Sequence, residues 1–127
     1  MVDISDLLGV RYREHGRSTN GFDCYGFAIE VGKRFGYELP DFDYIRHSDP
    51  LFEDKSSRLI EEGFGRRIPA PVEGAILLFQ NVCGMKNHIG IYMGDGLFAH
   101  CNMEGSKMER LCDWKDKLGG IYLWQKL

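Results

Sequence analysis

At 127 residues the chain falls in the size range of one domain, long enough to bury a sizeable core without metals or crosslinks. A hydrophobic share of 43% and a charged share of 28% are those of an ordinary globular protein, and no segment approaches the roughly 20 apolar residues of a membrane span, so no membrane partner is expected. The net charge of −3, with basic residues scattered as singles and pairs such as Arg66-Arg67, argues equally against nucleic acid, whose phosphates call for a concentrated basic face.

The N-terminus, Met1-Val2-Asp3-Ile4-Ser5-Asp6-Leu7-Leu8, is acidic and mixed, without the positive and apolar regions of a secretory signal, and predicts synthesis in the cytoplasm. Residues 3–8 carry an Asp or Ser ahead of Leu7-Leu8 and stop at Gly9, which predicts a short helix. A turn-rich stretch, Gly16-Arg17-Ser18-Thr19-Asn20-Gly21, leads into the strongest helix of the chain. There Cys24, Phe27, Ala28, Val31 and Phe35 form one apolar stripe, with Glu30, Lys33 and Arg34 off it. Asp23 is placed to cap its start and Gly36 to end it. A second helix is expected over about 54–62. Beyond Pro69 and Pro71 the pattern turns to strands: Gly74-Ala75-Ile76-Leu77-Leu78-Phe79 is a buried run, residues 88–93 and 97–101 flank the hairpin signal Gly94-Asp95-Gly96, and residues 121–124 close the set. Helices first and antiparallel strands afterwards predict a single α+β domain over 1–127, with the long helix covering one face of the sheet.

The four cysteines, Cys24, Cys83, Cys101 and Cys112, form no C-x2-C pair of the kind that marks zinc or redox motifs. An even count admits two disulfides, but free thiols fit a reducing compartment better. Cys24 stands out because it opens a helix, where unpaired N–H groups and the positive end of the macrodipole favour an anion. A thiol with a pKa of about 8.5 is only about 3% ionised at pH 7, so a helix N-terminus and a neighbouring imidazolium would activate it. The same position is equally that of a small apolar residue on a core stripe.

A histidine changes that balance. His88 enters the strand Asn87-His88-Ile89-Gly90-Ile91-Tyr92-Met93, and His100 lies 12 positions later on the partner strand. If Gly94-Asp95-Gly96 is a three-residue loop, Gly90 faces His100, and His88 and His100 lie diagonally on one sheet face; a two-residue loop would separate them. On one face, His100 can hold one ring nitrogen of His88 and leave the other for the cysteine, the logic of a nucleophile, a base and an orienting group.

Tyr12, Asn20-Gly21-Phe22-Asp23-Cys24-Tyr25-Gly26-Phe27, Asn87-His88-Ile89-Gly90-Ile91-Tyr92-Met93-Gly94-Asp95-Gly96 and Phe98-Ala99-His100 together resemble the NlpC-type family of cell-wall cysteine peptidases, in the family's order and over residues 7–124. Tyr25-Gly26 and Gly36-Tyr37-Glu38-Leu39-Pro40-Asp41 further resemble the subgroup encoded in phage and prophage tail-assembly regions. The resemblance implies a papain-like fold in which Cys24 attacks the scissile carbonyl, His88 takes and returns the proton, His100 orients His88, and Tyr12 brings a hydroxyl near the developing oxyanion. It implies no metal or organic cofactor. The implied substrate is a peptide bond of the peptidoglycan stem peptide, next to a D-glutamyl or diamino-acid residue, met at the cell wall or as part of a phage or prophage particle with tail proteins as partners. Two rivals stay open: an amidase cutting between sugar and stem peptide, since the same thiol and imidazole serve any acyl transfer, and a tail-tip or scaffold component that has lost turnover.

Where many members carry an aromatic residue and two glycines after the tyrosine, this chain has Arg13-Glu14-His15-Gly16, a charged rim. Asp23 reads as a helix cap rather than a catalyst. Cys101 is a rival nucleophile, but it alternates to the other strand face and lacks a helix terminus. Cys83 and Cys112 read as structural thiols, and His15 and His47 as surface residues.

Overall fold

The structure is a computed structural model that describes residues 2–44, 58, 60, 65–80 and 86–124, without the side chains of residues 86 and 87. The helix begins where its cap dictates. Asp23 has extended backbone and its Oδ1 accepts the Gly26 N–H at 2.8 Å, so α1 runs Cys24–Arg34. It ends in a Schellman turn: Gly36, at φ 89°, lets the Tyr37 N–H reach the Gly32 carbonyl at 3.0 Å and its own N–H reach that of Lys33.

The expected stripe is buried from Cys24 to Val31, with Phe35 half-buried at its end, but Tyr25 and Ile29 on the other side of the helix are buried as well. Their cover is the irregular segment that follows. The Tyr25 hydroxyl donates to the Pro40 carbonyl at 2.6 Å, and its ring meets Phe42 edge-on at 4.7 Å. Lys33 and Arg34 keep the exposed side. The loop before the helix lies directly on its first turn: a Cβ at Gly26 would stand 2.0 Å from the Gly16 carbonyl oxygen, so nothing larger than glycine fits there. A two-stranded ribbon, β1 (Arg17–Ser18) and β2 (Gly21–Phe22), shapes that loop.

The remaining strands are β3 (Gly65–Arg67), β4 (Ile76–Gln80), β5 (Lys86–Gly94), β6 (Leu97–Asn102), β7 (Gly105–Arg110) and β8 (Leu118–Trp124). They form one antiparallel sheet in the order β3-β8-β4-β5-β6-β7. Alternation assigns its two faces. Ile76, Leu78, Ile89, Ile91, Ala99 and Cys101 join the core that contains Phe27 and Val31 of α1. Leu77, Phe79 and Phe98 form a second cluster on the opposite face, covered by Trp114 and Leu111 from a 3-10 segment, Leu111–Lys117, and by Leu118 and Ile121 of β8. Burial on both faces is why β4 reads as an unbroken apolar run instead of alternating. This is the expected α+β fold, with α1 packed on an antiparallel sheet.

Three expectations change. The helix predicted over 3–8 is a single 3-10 turn, Ser5–Leu7, because Gly9 and the Ser106 side chain take over the backbone there. The strands β3 and β7 were not expected. The hairpin turn is two residues long, Asp95-Gly96, both at positive φ (53° and 79°) as a type I′ turn requires. A two-residue turn alone would have put the histidines on opposite faces, but β5 carries a bulge between Tyr92 and Gly94. That one extra residue restores the pairing Tyr92↔Phe98 and Ile91↔Ala99, the register a three-residue loop would have produced. Of the helix expected over 54–62, only Arg58 and Ile60 lie among the described residues.

Candidate active site

Cys24 sits at the first position of α1 and is 2% exposed. Helix position favours an activated thiol, and burial opposes that activation in the resting protein. Burial pushes the Cys24 thiol well above its ordinary value, and the negative charge of neighbouring Asp23 pushes it further, against a smaller opposing effect of the Ile89 N–H directed at the sulfur. The cap adds to the effect of burial: the carboxylate of Asp23 already occupies the place where the helix N-terminus would favour an anion. The Ile89 contact puts the sulfur one residue along the chain from His88.

His88 and His100 meet. Nε2 of His88 and Nδ1 of His100 are 2.7 Å apart, with the rings nearly perpendicular at 79°. Both lie on the sheet face opposite the helix core: His88 beside Phe79, His100 beside Phe98, and Trp114 against both at 6.1 and 5.0 Å. Gly90, between the histidine and Tyr92 on β5, leaves the space for this packing, since a Cβ there would come within 3.0 Å of the Phe98 ring. His100 is fully buried, and its second ring nitrogen, Nε2, lies 2.5 Å from Glu109 Oε2 on β7. Burial lowers the His100 pKa below its ordinary value, outweighing the opposing pull of Glu109. Burial thus favours the neutral ring, which can donate from Nε2 to that carboxylate. Sequence reading missed Glu109 and Trp114.

Tyr12 is held beside Phe22 by a parallel bridge, and its hydroxyl donates to Glu14 at 2.5 Å. Burial and the Glu14 charge raise the phenol's pKa, and Cys24 contributes, so phenol, carboxylate and thiol share one neighbourhood. Asp23 is a cap, as expected, and also the centre of a buried network. Its Oδ1 accepts from Gly26 N and from Arg17 at 2.8 Å; its Oδ2 accepts from the His15 N–H at 3.1 Å and from the Tyr44 hydroxyl. Arg17 reaches on to Asp41 through two hydrogen bonds. His15 is exposed, at positive φ (62°), with its ring against Tyr44.

Cys101 faces the helix core, donates to the Phe22 carbonyl at 3.3 Å and has its thiol pushed up to about 12 by burial, so the two histidines and Cys101 lie on opposite faces of the sheet. Cys24, Cys101 and Cys112 are free thiols, the last exposed; Cys83 and His47 lie outside the described residues. Among the described residues no three His, Cys, Asp or Glu side chains converge as metal ligands: His88, His100 and Glu109 form a chain, not a cluster. No helix among them is long and apolar enough to cross a membrane.

The chain is similar in sequence and fold to known proteins. The chain is 31% identical over 127 residues to tail tip assembly protein K of Escherichia phage lambda, covering 94% of this chain and 59% of that protein. It is 29% identical over 103 residues to the murein DD-endopeptidase MepS/murein LD-carboxypeptidase of Escherichia coli K12, covering 80% and 47%. To the gamma-D-glutamyl-L-lysine dipeptidyl-peptidase of Bacillus subtilis it is 31% identical over 113 residues, covering 83% and 32%. The chain thus spans less than two thirds of each of these relatives. In structure it is similar to an NlpC/P60 family protein from Bacillus cereus, with a TM-score of 0.67 at 22% identity over 94% of this chain and 37% of that one. The NlpC/p60 domain of the peptidoglycan hydrolase SagA gives 0.62 at 19%, over 93% and 90%. With the NlpC/P60 profile matching residues 9–118, a span that holds Tyr12, Cys24, His88 and His100, the chain belongs to the NlpC/P60 family.

Proposed function

We propose that the chain is a cysteine endopeptidase that hydrolyses a peptide bond of the peptidoglycan stem peptide, with Cys24 as nucleophile, His88 as general base, His100 as the residue that orients His88, and Tyr12 as a hydroxyl near the oxyanion. The observation that carries the reading is the 2.7 Å His88–His100 contact, one residue from the amide directed at the Cys24 sulfur. Because burial and Asp23 keep the resting thiol protonated, its proton moves to His88 as the sulfur attacks, rather than beforehand. The Tyr12 hydroxyl acts in this step once it turns from Glu14 toward the oxygen, a donor whose loss typically costs about 100-fold or more in rate. The murein endopeptidase and gamma-D-glutamyl relatives support a stem-peptide substrate, with cleavage next to a D-glutamyl or diamino-acid residue.

Incubation with purified muropeptides, followed by mass identification of products, tests the proposal. Cleavage within the stem peptide that vanishes in Cys24→Ala supports it; release of the intact stem peptide from the sugar makes the protein an amidase instead. A second reading, a tail component without turnover, draws on the lambda tail tip relative and on the buried, protonated Cys24. No product from any muropeptide would favour it.

A further inference from the structure

Behind the two histidines stands a carboxylate with no place in the scheme above. The register pairs His100 with Lys107 and Phe98 with Glu109, so Glu109 lies diagonal to His100 on the same sheet face. Its Oε2 is 2.5 Å from His100 Nε2, while His100 Nδ1 is 2.7 Å from His88 Nε2. An ionised carboxylate can only accept, so the hydrogen of this contact is on His100 Nε2. A neutral imidazole with its hydrogen on Nε2 has a bare Nδ1, which can only accept in turn. His88 must then donate from its own Nε2, and its remaining nitrogen, Nδ1, is the basic one. We propose that Glu109 is a positioning residue that sets the tautomers of both histidines in series and so selects Nδ1 of His88 to receive the Cys24 proton.

The surroundings make the relay selective. His100 is wholly buried between Phe98 and Trp114, so water cannot readily replace either hydrogen bond. The charged groups that act on it are Glu109 in contact, Lys107 opposite it on β7 and Glu104 at the β6–β7 turn, with His88 facing it from β5. Trp114 supplies an uncharged wall from the 3-10 segment. In the chemical step the Cys24 proton passes to His88 Nδ1, the sulfur lone pair forms the bond to the carbonyl carbon, and the carbonyl π pair moves to oxygen. The resulting imidazolium still donates from Nε2 to His100, and no proton has to travel on to Glu109. As the tetrahedral species collapses, the C–N bond breaks and the leaving amine takes the proton from Nδ1.

The inference rests on the proposed pairing of Cys24 with His88 for its purpose, but its tautomers are measurable without substrate. Nitrogen-15 spectra of the histidine side chains at pH about 7.5 should show both rings with hydrogen on Nε2 and a bare Nδ1. In Glu109→Ala that preference should be lost while the amide spectrum stays native, and the rate of muropeptide hydrolysis should fall on the order of 10- to 100-fold with KM little changed, as for other carboxylate partners of functional histidines. Glu109→Gln keeps the volume and removes the charge. Without that anion the His88 imidazolium is less favoured, so the acid limb of the pH profile for iodoacetamide modification, read at the Cys24 peptide by mass, should move to lower pH. Wild-type spectra with hydrogen on Nδ1 of either ring would overturn the proposal. So would unchanged rate and acid limb in both variants. If the wild type cleaves no muropeptide, the peptidase reading falls, while the spectra and the Cys24 profile still decide what Glu109 does.

Discussion

Replacing Asp23 with Asn should weaken the fold and at the same time make Cys24 easier to ionise, two effects of opposite sign from one atom pair. The amide oxygen can keep the Oδ1 contacts, which are the Gly26 cap and Arg17 at 2.8 Å each. The amide nitrogen then faces the His15 N–H and the Tyr44 hydroxyl. Tyr44 can turn to accept, but the part-buried His15 N–H loses its acceptor, at about 1–3 kcal/mol. The Arg17 contact also drops from an ion pair to a hydrogen bond between a cation and a neutral amide oxygen, roughly another 1 kcal/mol. A loss of about 2–4 kcal/mol is therefore expected from urea denaturation, a large part of a typical domain stability of about 5–15 kcal/mol. Asp23→Ala, which also removes the cap, should lose more, about 3–5 kcal/mol. The thiol responds the other way: with the adjacent negative charge gone, one cause of its raised pKa disappears, and the pH at which Cys24 reacts with iodoacetamide should fall. A destabilised Asp23→Asn protein whose Cys24 profile is unmoved would refute the argument that the cap adds to burial in raising the thiol's pKa.

Three other outcomes follow from the same geometry. A bulky maleimide should label exposed Cys112 well before buried Cys24 or Cys101 in the folded protein, the opposite of what helix position alone suggests, and peptide-resolved mass spectrometry reads the order. In muropeptide assays the order of activity should be wild type, His100→Asn, His100→Ala, then His88→Asn, because an amide can accept from His88 whereas no amide can take and return a proton; wild-type activity in His100→Ala would remove His100 from the site. His100 should also make the fold acid-sensitive. Its folded pKa lies below the ordinary value of 6.5, so as pH falls past that value the unfolded chain binds a proton the folded one refuses, and stability drops. His100→Gln should flatten that part of the stability profile, and an unchanged slope just below pH 6.5 would show that His100 is not buried neutral.

The fold was legible where periodicity and end signals agreed. Asp23 and Gly36 bracket an 11-residue helix because a cap and a left-handed glycine are local chemistry, independent of the rest of the chain. The buried run of β4 and the Asp-Gly turn are local in the same way. What the sequence could not supply was the cover on the second side of α1. Tyr25 and Ile29 are buried by the segment carrying Pro40 and Phe42, a long-range contact with no periodic trace. The surroundings of the Cys24 thiol were hidden for a related reason: position in a helix is visible in a sequence, but burial and the direction of a neighbouring carboxylate are not.

The site itself depends on strand parity, and there the signal was partly available. Reading Gly94-Asp95-Gly96 as a three-residue loop reached the right register through the wrong turn, because a two-residue turn with a one-residue bulge shifts the pairing by the same amount. Side-chain facing depends only on that total, so His88 and His100 share a face under either description. The next turn offered the same inference and was not used. Met103-Glu104 closes a second hairpin between Asn102 and Gly105, the glycine at φ 108°. Counting back from it pairs His100 with Lys107 and sets Glu109 diagonal to His100, on the face the histidines share. A carboxylate two positions beyond the residue opposite a buried histidine is within reach of its ring, so parity alone would have placed Glu109 at the end of the chain that runs from His88 through His100.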